Sequence, residues 1–176
     1  MKHFLSLMLA TGFLFSFNLL HAQQQDKSKR PSPPATVTQK INSGATVTID
    51  YSQPSVKGRT IGKDVEPFKD SVWRMGANEA TVFSTDKDVT INGQKLPAGK
   101  YSLFGVWTDK GYDLIFNTVY KIWGTQHWQN RDKDVLEVAA NVKTKNKLQE
   151  KLTYTIDKSG LVNLLWGNLD ISFKVQ

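Results

Sequence analysis

KYSLFGVW, residues Lys100–Trp107, is the stretch whose reading settles the fold. Side chains alternate across a strand, so Tyr101, Leu103 and Trp107 fall on one face and Phe104 and Val106 on the other. A strand apolar on both faces is covered on both sides, which places this one in the middle of a sheet. The Pro97-Ala98-Gly99 bend introduces it, and the Asp109-Lys110-Gly111 turn leads into a second β-prone run, Tyr112–Asn117.

The same period of two extends outward in both directions. Upstream, Ala35–Ile41 and Val47–Tyr51 flank the turn-forming triplet Asn42-Ser43-Gly44, a hairpin pattern. Ala80–Ser84 follows, and then Val89–Ile91 before Asn92-Gly93, a strong short-range hairpin signal. Downstream, Leu136, Val138, Ala140 and Val142 share a face. Leu152, Tyr154 and Ile156 alternate, Leu161–Trp166 pairs back, and Leu169, Ile171, Phe173 and Val175 form the cleanest strand. No long segment shows helical i, i+3, i+4 spacing. About nine or ten short strands with closely spaced turns predict an all-β fold, an antiparallel β-sandwich or, alternatively, a partly open β-barrel.

The chain has 176 residues. It opens on Lys2 and an apolar run from Phe4 to Leu20 that reaches Ala22 before a polar string, which reads as a secretory signal peptide over 1–22. Residues 23–34, rich in Gln, Lys, Ser and Pro, read as a disordered linker. The remainder, 35–176, suits one domain. The apolar run is too broken by Ser, Thr, Gly and Asn to span a bilayer, so no transmembrane segment is expected after cleavage. The protein is therefore expected to be exported, periplasmic or extracellular. It has no cysteine, which excludes disulfides and thiol-linked lipid.

Lys and Arg exceed Asp and Glu by seven, 23 against 16, but they are dispersed, so nucleic acid is not an expected partner. Once the leader is gone, His127 is the only imidazole. It reads as a solvated loop residue, and no nucleophile motif accompanies it. With one histidine and no cysteine, no metal and no cofactor are expected. The Asp86-Lys87-Asp88 and Asp132-Lys133-Asp134 runs lack the rest of a calcium loop and read as surface charge. Lys143, Lys145 and Lys147 read as protection of a sheet edge.

Two long connections interrupt the strands, Ser52–Phe68 and Thr118–Lys133; loops of this length often carry function. Between the first of them and the next strand lies VWRMGANEAT, Val72–Thr81. Arg74 and Glu79 there form a candidate charge-assisted pair with Asn78 beside them, either as a ligand-facing group or as a structural brace. Arg59 and Lys57 join that cluster if the preceding loop folds over it. Of the five tryptophans, Trp73, Trp107 and Trp166 are expected in the core. Trp123 and Trp128, in a loop, are open to either burial or exposure.

YSQPSVKGR (Tyr51–Arg59), VWRMGANEAT (Val72–Thr81) and LPAGKYSLF (Leu96–Phe104), followed in order by Asn117, Trp123 and Gly124, resemble the exported bacterial family of domain of unknown function 2911. The resemblance covers essentially 35–176. It implies an envelope-associated β-rich domain and supplies no catalytic residues. The family pattern has an acidic residue after a late tryptophan, where this chain has Trp166-Gly167.

The leading expectation is a non-catalytic module that binds a glycan, a peptide or an anionic small ligand, with Arg59, Arg74, Asn78, Glu79 and Trp123 at its site. The alternatives are a hydrolase using Glu79 with Asp50 or another carboxylate, and a purely structural interaction protein.

Overall fold

The structure is a computed structural model and describes residues 26–176; the expected leader and the first part of the expected linker lie outside these residues. Ten strands follow in order: β1 Pro34–Lys40, β2 Thr46–Ser52, β3 Val72–Trp73, β4 Thr81–Thr85, β5 Val89–Ile91, β6 Gln94–Leu96, β7 Gly99–Thr108, β8 Gly111–Asn117, β9 Asp134–Ile156 and β10 Leu161–Lys174. Three one-turn 3-10 segments are the only helical elements among the described residues, and none is long and apolar enough to cross a membrane.

The fold is all-β. Its main sheet runs β1-β2-β4-β7-β8-β9-β10, antiparallel throughout, with β3 also paired to β7 and with β5–β6 as a separate hairpin. The sheet curls into a half-barrel. One sheet folded on itself thus supplies the two facing layers that a sandwich takes from two sheets. Its ends approach where the β1–β2 turn meets the β9–β10 turn, Asn42 N donating to Lys158 O at 2.8 Å. The β5–β6 hairpin closes against the C-terminus through reciprocal bonds between Thr90 and Gln176, at 2.6 and 3.0 Å.

The concave face holds the core. Ile49, Phe83, Leu103, Leu114, Phe116 and Phe173 are fully buried there, and burial of each side chain contributes about 1.5–3 kcal/mol. β7 is central, as its sequence requires. Phe104 and Ile115, pointing the other way, form a second small cluster with Ala80, which Val72, Val106 and Ile122 cover. Trp73 and Trp166 are buried as expected and stack at 5.8 Å.

Trp107 departs from expectation: its side chain is 43% exposed. The inward periodicity holds, but the strand ends at Thr108, and the ring lies at the rim of the half-barrel rather than inside it.

β9 is a single 23-residue strand where the sequence suggested two. Its first part pairs with β8 and its second with β10. In the β9–β10 register, Leu165 to Leu169 faces the longer span Thr144 to Thr153, so β9 bulges outward. The lysine-rich run Lys143–Lys147 lies at this distortion.

Part of the stretch expected to be an unstructured linker is placed against the sheet. Lys27–Lys29 forms a 3-10 turn capped by the Asp26 carboxylate, and Pro33 O accepts from Gln53 N at 2.9 Å.

Candidate functional site

The Val72–Thr81 turn is built from its own backbone demands. Met75 and Asn78 adopt positive φ, 52° and 61°, and the chain doubles back so that Thr81 N reaches Arg74 O. Trp73 Nε1 donates to Gly76 O at 3.1 Å, Thr81 Oγ1 to Met75 O at 3.1 Å, and Tyr154 Oη also to Met75 O at 2.9 Å. These bonds satisfy carbonyls that the turn would otherwise bury unpaired.

Arg74 and Glu79 do not pair. Arg74 Nη1 donates to Asn78 O at 3.0 Å, and the same carbonyl accepts from Gly124 N. A Cβ on Gly124 would lie 2.1 Å from Arg74 Cδ, so glycine is what lets the guanidinium stem lie flat against this segment. Burial lowers the Arg74 pKa, partly countered by the Glu66 carboxylate.

Glu79 instead meets two cations from the N-terminal segment. Lys27 Nζ lies 2.9 Å from Oε1, and Arg30 Nη1 lies 3.0 and 2.9 Å from Oε1 and Oε2. Asn78 Nδ2 fastens the same segment by donating to Ser32 O at 3.0 Å. These partners lay beyond the reach of sequence reasoning, which had assigned them to a linker. Trp123 joins through a backbone bridge to Glu79 and is 46% exposed. It edges a shallow depression of about 360 Å³ that Lys27, Tyr120 and Lys121 complete.

Burial raises the Glu79 pKa, but the Lys27 ammonium, the residue's own backbone N–H and the Arg30 guanidinium outweigh it and hold the group at about 2. The folded-state value is depressed, so the stability from ionised Glu79 is fully present above its unfolded value of about 4.3 and is lost as pH falls toward the folded one. The carboxylate is 39% exposed, and solvent screening limits the contribution to about 1 kcal/mol. Glu79→Gln should therefore be less stable than the parent by about 1 kcal/mol at pH 7 and equal to it near pH 2. Urea midpoints of both proteins across that range check this; a gap that persists at low pH would show that charge is not its source.

Arg59 lies elsewhere. The first long connection is pinned to β9 by Val56 N donating to Glu150 O at 2.8 Å and Leu152 N to Pro54 O at 2.9 Å. At its other end it is held to β7 by Asp70 N donating to Trp107 O at 2.7 Å. Between this loop and the bulged β9–β10 pair runs a groove of about 420 Å³, lined by Arg59, Ile61, Pro67, Trp107, Leu148 and Asn168 among others. Arg59 Nε donates to Val56 O at 3.0 Å and Nη2 to Ser55 O at 2.6 Å, which fixes the guanidinium at the rim. Gly62, at φ 82°, packs on the Trp107 ring: a Cβ there would lie 3.2 Å from the indole.

Trp107 and Leu148 were not legible as site residues. The available signal was position: Trp107 sits one residue from a strand end, beside a turn.

His127 is buried, contrary to the expected solvated side chain. Its 3-10 turn tucks the ring onto Phe104 at 4.7 Å, and Nε2 lies 3.0 Å from both Asp134 oxygens, while Asn117 Nδ2 donates to Asp134 Oδ1 at 2.7 Å. This network closes the second long connection onto the sheet. Asp86 and Asp88 accept from Thr46 N and Ala98 N, so both organise turns. Among the described residues no group of three or more His, Asp or Glu is arranged to hold a metal. Asp50 accepts from Thr36 Oγ1 at 2.6 Å on the exposed face of β2.

The fold and these sites define a curled antiparallel β-domain with a rim groove and an N-terminal segment fastened to its central turn. The family model described as protein of unknown function (DUF2911) matches residues 32–175, and the chain belongs to that family. No curated protein and no solved structure matches it.

Proposed function

We propose that the domain is a non-catalytic binding module whose small ligand lies in the groove between the Ser55–Pro67 loop and the bulged β9–β10 pair. The observation that carries this reading is the pairing of a solvent-facing indole, Trp107, with a guanidinium already fixed by two backbone carbonyls, both lining one concavity. Its volume falls in the roughly 300–1,000 Å³ range of small-molecule sites. A pre-fixed arginine loses little freedom when a ligand arrives, so more of its interaction appears as affinity.

Of the five expected site residues, Arg59 belongs to this groove. Asn78 and Glu79 act as the brace that holds the N-terminal segment, Arg74 steadies their turn through Asn78 O, and Trp123 borders it. A carboxyl whose pKa two cations help hold at about 2 is a poor general acid, which argues against the hydrolase built on Glu79. The leader-like opening over residues 1–22 supports export to the periplasm or beyond.

A thermal-shift screen of glycans, short peptides and small anions, run on the parent, Trp107→Ala and Trp123→Ala, tests the assignment. Ligands that raise the parent's melting temperature are expected to lose that effect in Trp107→Ala and keep it in Trp123→Ala. The opposite pattern would move the site to the depression beside Glu79. The Trp107 ring is partly exposed, so its removal should itself cost only about 1 kcal/mol of stability.

A further inference from the structure

We infer that the groove selects a small carboxylate carried on an apolar body; this rests on the groove being the binding site. Arg59 is the only charged residue among the described residues that line it. The nearby carboxylates are engaged: Glu150 Oε1 accepts from Lys57 N at 2.9 Å, Asp64 Oδ2 from Thr60 N at 2.8 Å, and Asp170 Oδ2 meets Lys145 Nζ at 2.9 Å. None of them spends its charge on Arg59. The guanidinium gives Nε and one Nη2 proton to Val56 O and Ser55 O, and Nη1 has no partner among the described residues. The Nη1–Nη2 end is thus a preset two-donor edge, the geometry that meets the two oxygens of a carboxylate.

The rest of the lining specifies the body of the ligand. Ile61, Pro67, Trp107, Leu148 and Leu169 supply apolar surface, and Gly62 lets the loop pack close against the Trp107 ring. Polar side chains in the lining other than Arg59 are confined to Thr60, Thr144 and Asn168, too few to pair the many hydroxyls of a sugar. A multiply charged phosphate is disfavoured because one guanidinium edge would leave most of its charge desolvated without a partner.

Calorimetric titration of the purified protein with octanoate, octanol, acetate and octyl phosphate tests the class. Octanoate is expected to bind at least about tenfold more tightly than octanol, acetate or octyl phosphate, because only it meets both the guanidinium and the apolar wall. Arg59→Met keeps the apolar stem and should bring octanoate down to the octanol level while leaving octanol unchanged. Glu79→Gln should change neither.

Octanol matching octanoate in the parent, or octanoate binding Arg59→Met as tightly as the parent, would overturn the carboxylate assignment. So would octyl phosphate binding more tightly than octanoate, or no binding by any of the four probes. The groove as a site fails separately. If Trp107→Ala leaves octanol and octanoate binding unchanged, the groove falls as the site; if Trp107→Ala abolishes both while Arg59→Met does nothing, the site stands and only the ligand class falls.

Discussion

Gly160→Ala is expected to destabilise the protein by about 3–5 kcal/mol, the range for a side chain forced into filled space at a left-handed backbone position. Gly160 ends the Asp157–Gly160 turn between β9 and β10 at φ 86°, and a Cβ there would stand 1.9 Å from Val175 O and 3.4 Å from Ile41 Cδ1. The position is fixed from several sides. Gly160 O accepts from Val175 N at 2.8 Å, Gly160 N donates to Asp157 O at 2.9 Å, and Asp157 Oδ1 takes Leu161 N at 3.0 Å. Val175 in turn bridges to Ile91, so displacing it disturbs the β5–β6 closure as well.

Gly93→Ala is the internal control. Gly93 has the same φ of 86° with nothing near its Cβ position, so only the conformational penalty applies, about 1 kcal/mol. Urea unfolding of both variants should separate them by at least about 2 kcal/mol. Equal losses would mean that the C-terminal strand yields and the turn does not anchor it.

The second large effect is expected at Gly105→Ala, in the middle of β7. A Cβ at this position would lie 2.3, 2.4 and 2.6 Å from Tyr112 Oη, Cε1 and Cζ. Tyr112 is 2% exposed, and Gly105 pairs with Trp73, which stacks on Trp166, so the ring has little room to withdraw. A loss of about 3 kcal/mol follows from overpacking of this order.

The clash has one named partner, so it should be strongly coupled to it. Tyr112→Leu alone is expected to be destabilising, but in that background Gly105→Ala should cost less than about 1 kcal/mol, because the collision is gone. Additive losses in this double-mutant cycle would place the strain in the β7 backbone instead. Tyr112 is of further interest because its hydroxyl, like Trp166 Nε1, is buried without a hydrogen-bond partner among the described residues. Burial pushes its pKa upward, so the phenol stays neutral.

The strands were legible because alternation is a local property. Tyr101, Leu103 and Phe104 announce a strand covered on both faces, and the structure covers Phe104 with Ala80, Ile115 and their neighbours. The Asn92-Gly93 and Asn42-Ser43-Gly44 turns likewise need only their own backbone angles. Trp107 was misread because alternation gives the face of a strand and not how far along it the core extends.

The candidate site was legible only in part. VWRMGANEAT does concentrate polar groups around one turn, but the partner of a charge is a matter of which segments meet. Glu79 lies five residues from Arg74 and yet pairs with Arg30 and Lys27, brought there by the path into β1. His127, one loop residue among polar neighbours, carried no sign that Phe104 and Asp134 would enclose it.

Local pattern was enough for the all-β class, the central place of β7, the principal hairpins and, through its motifs, the family. Each depends on a period of two, a turn dipeptide or a residue spacing that neighbouring residues can express without the rest of the chain. The assembled fold alone shows that one sheet curls upon itself, that Arg59 lies with Trp107 rather than with Arg74, and that Glu79 fastens the N-terminal segment. Those outcomes depend on contacts between residues tens of positions apart, where closure of the sheet and the β9 bulge set the geometry, and no local pattern encodes them.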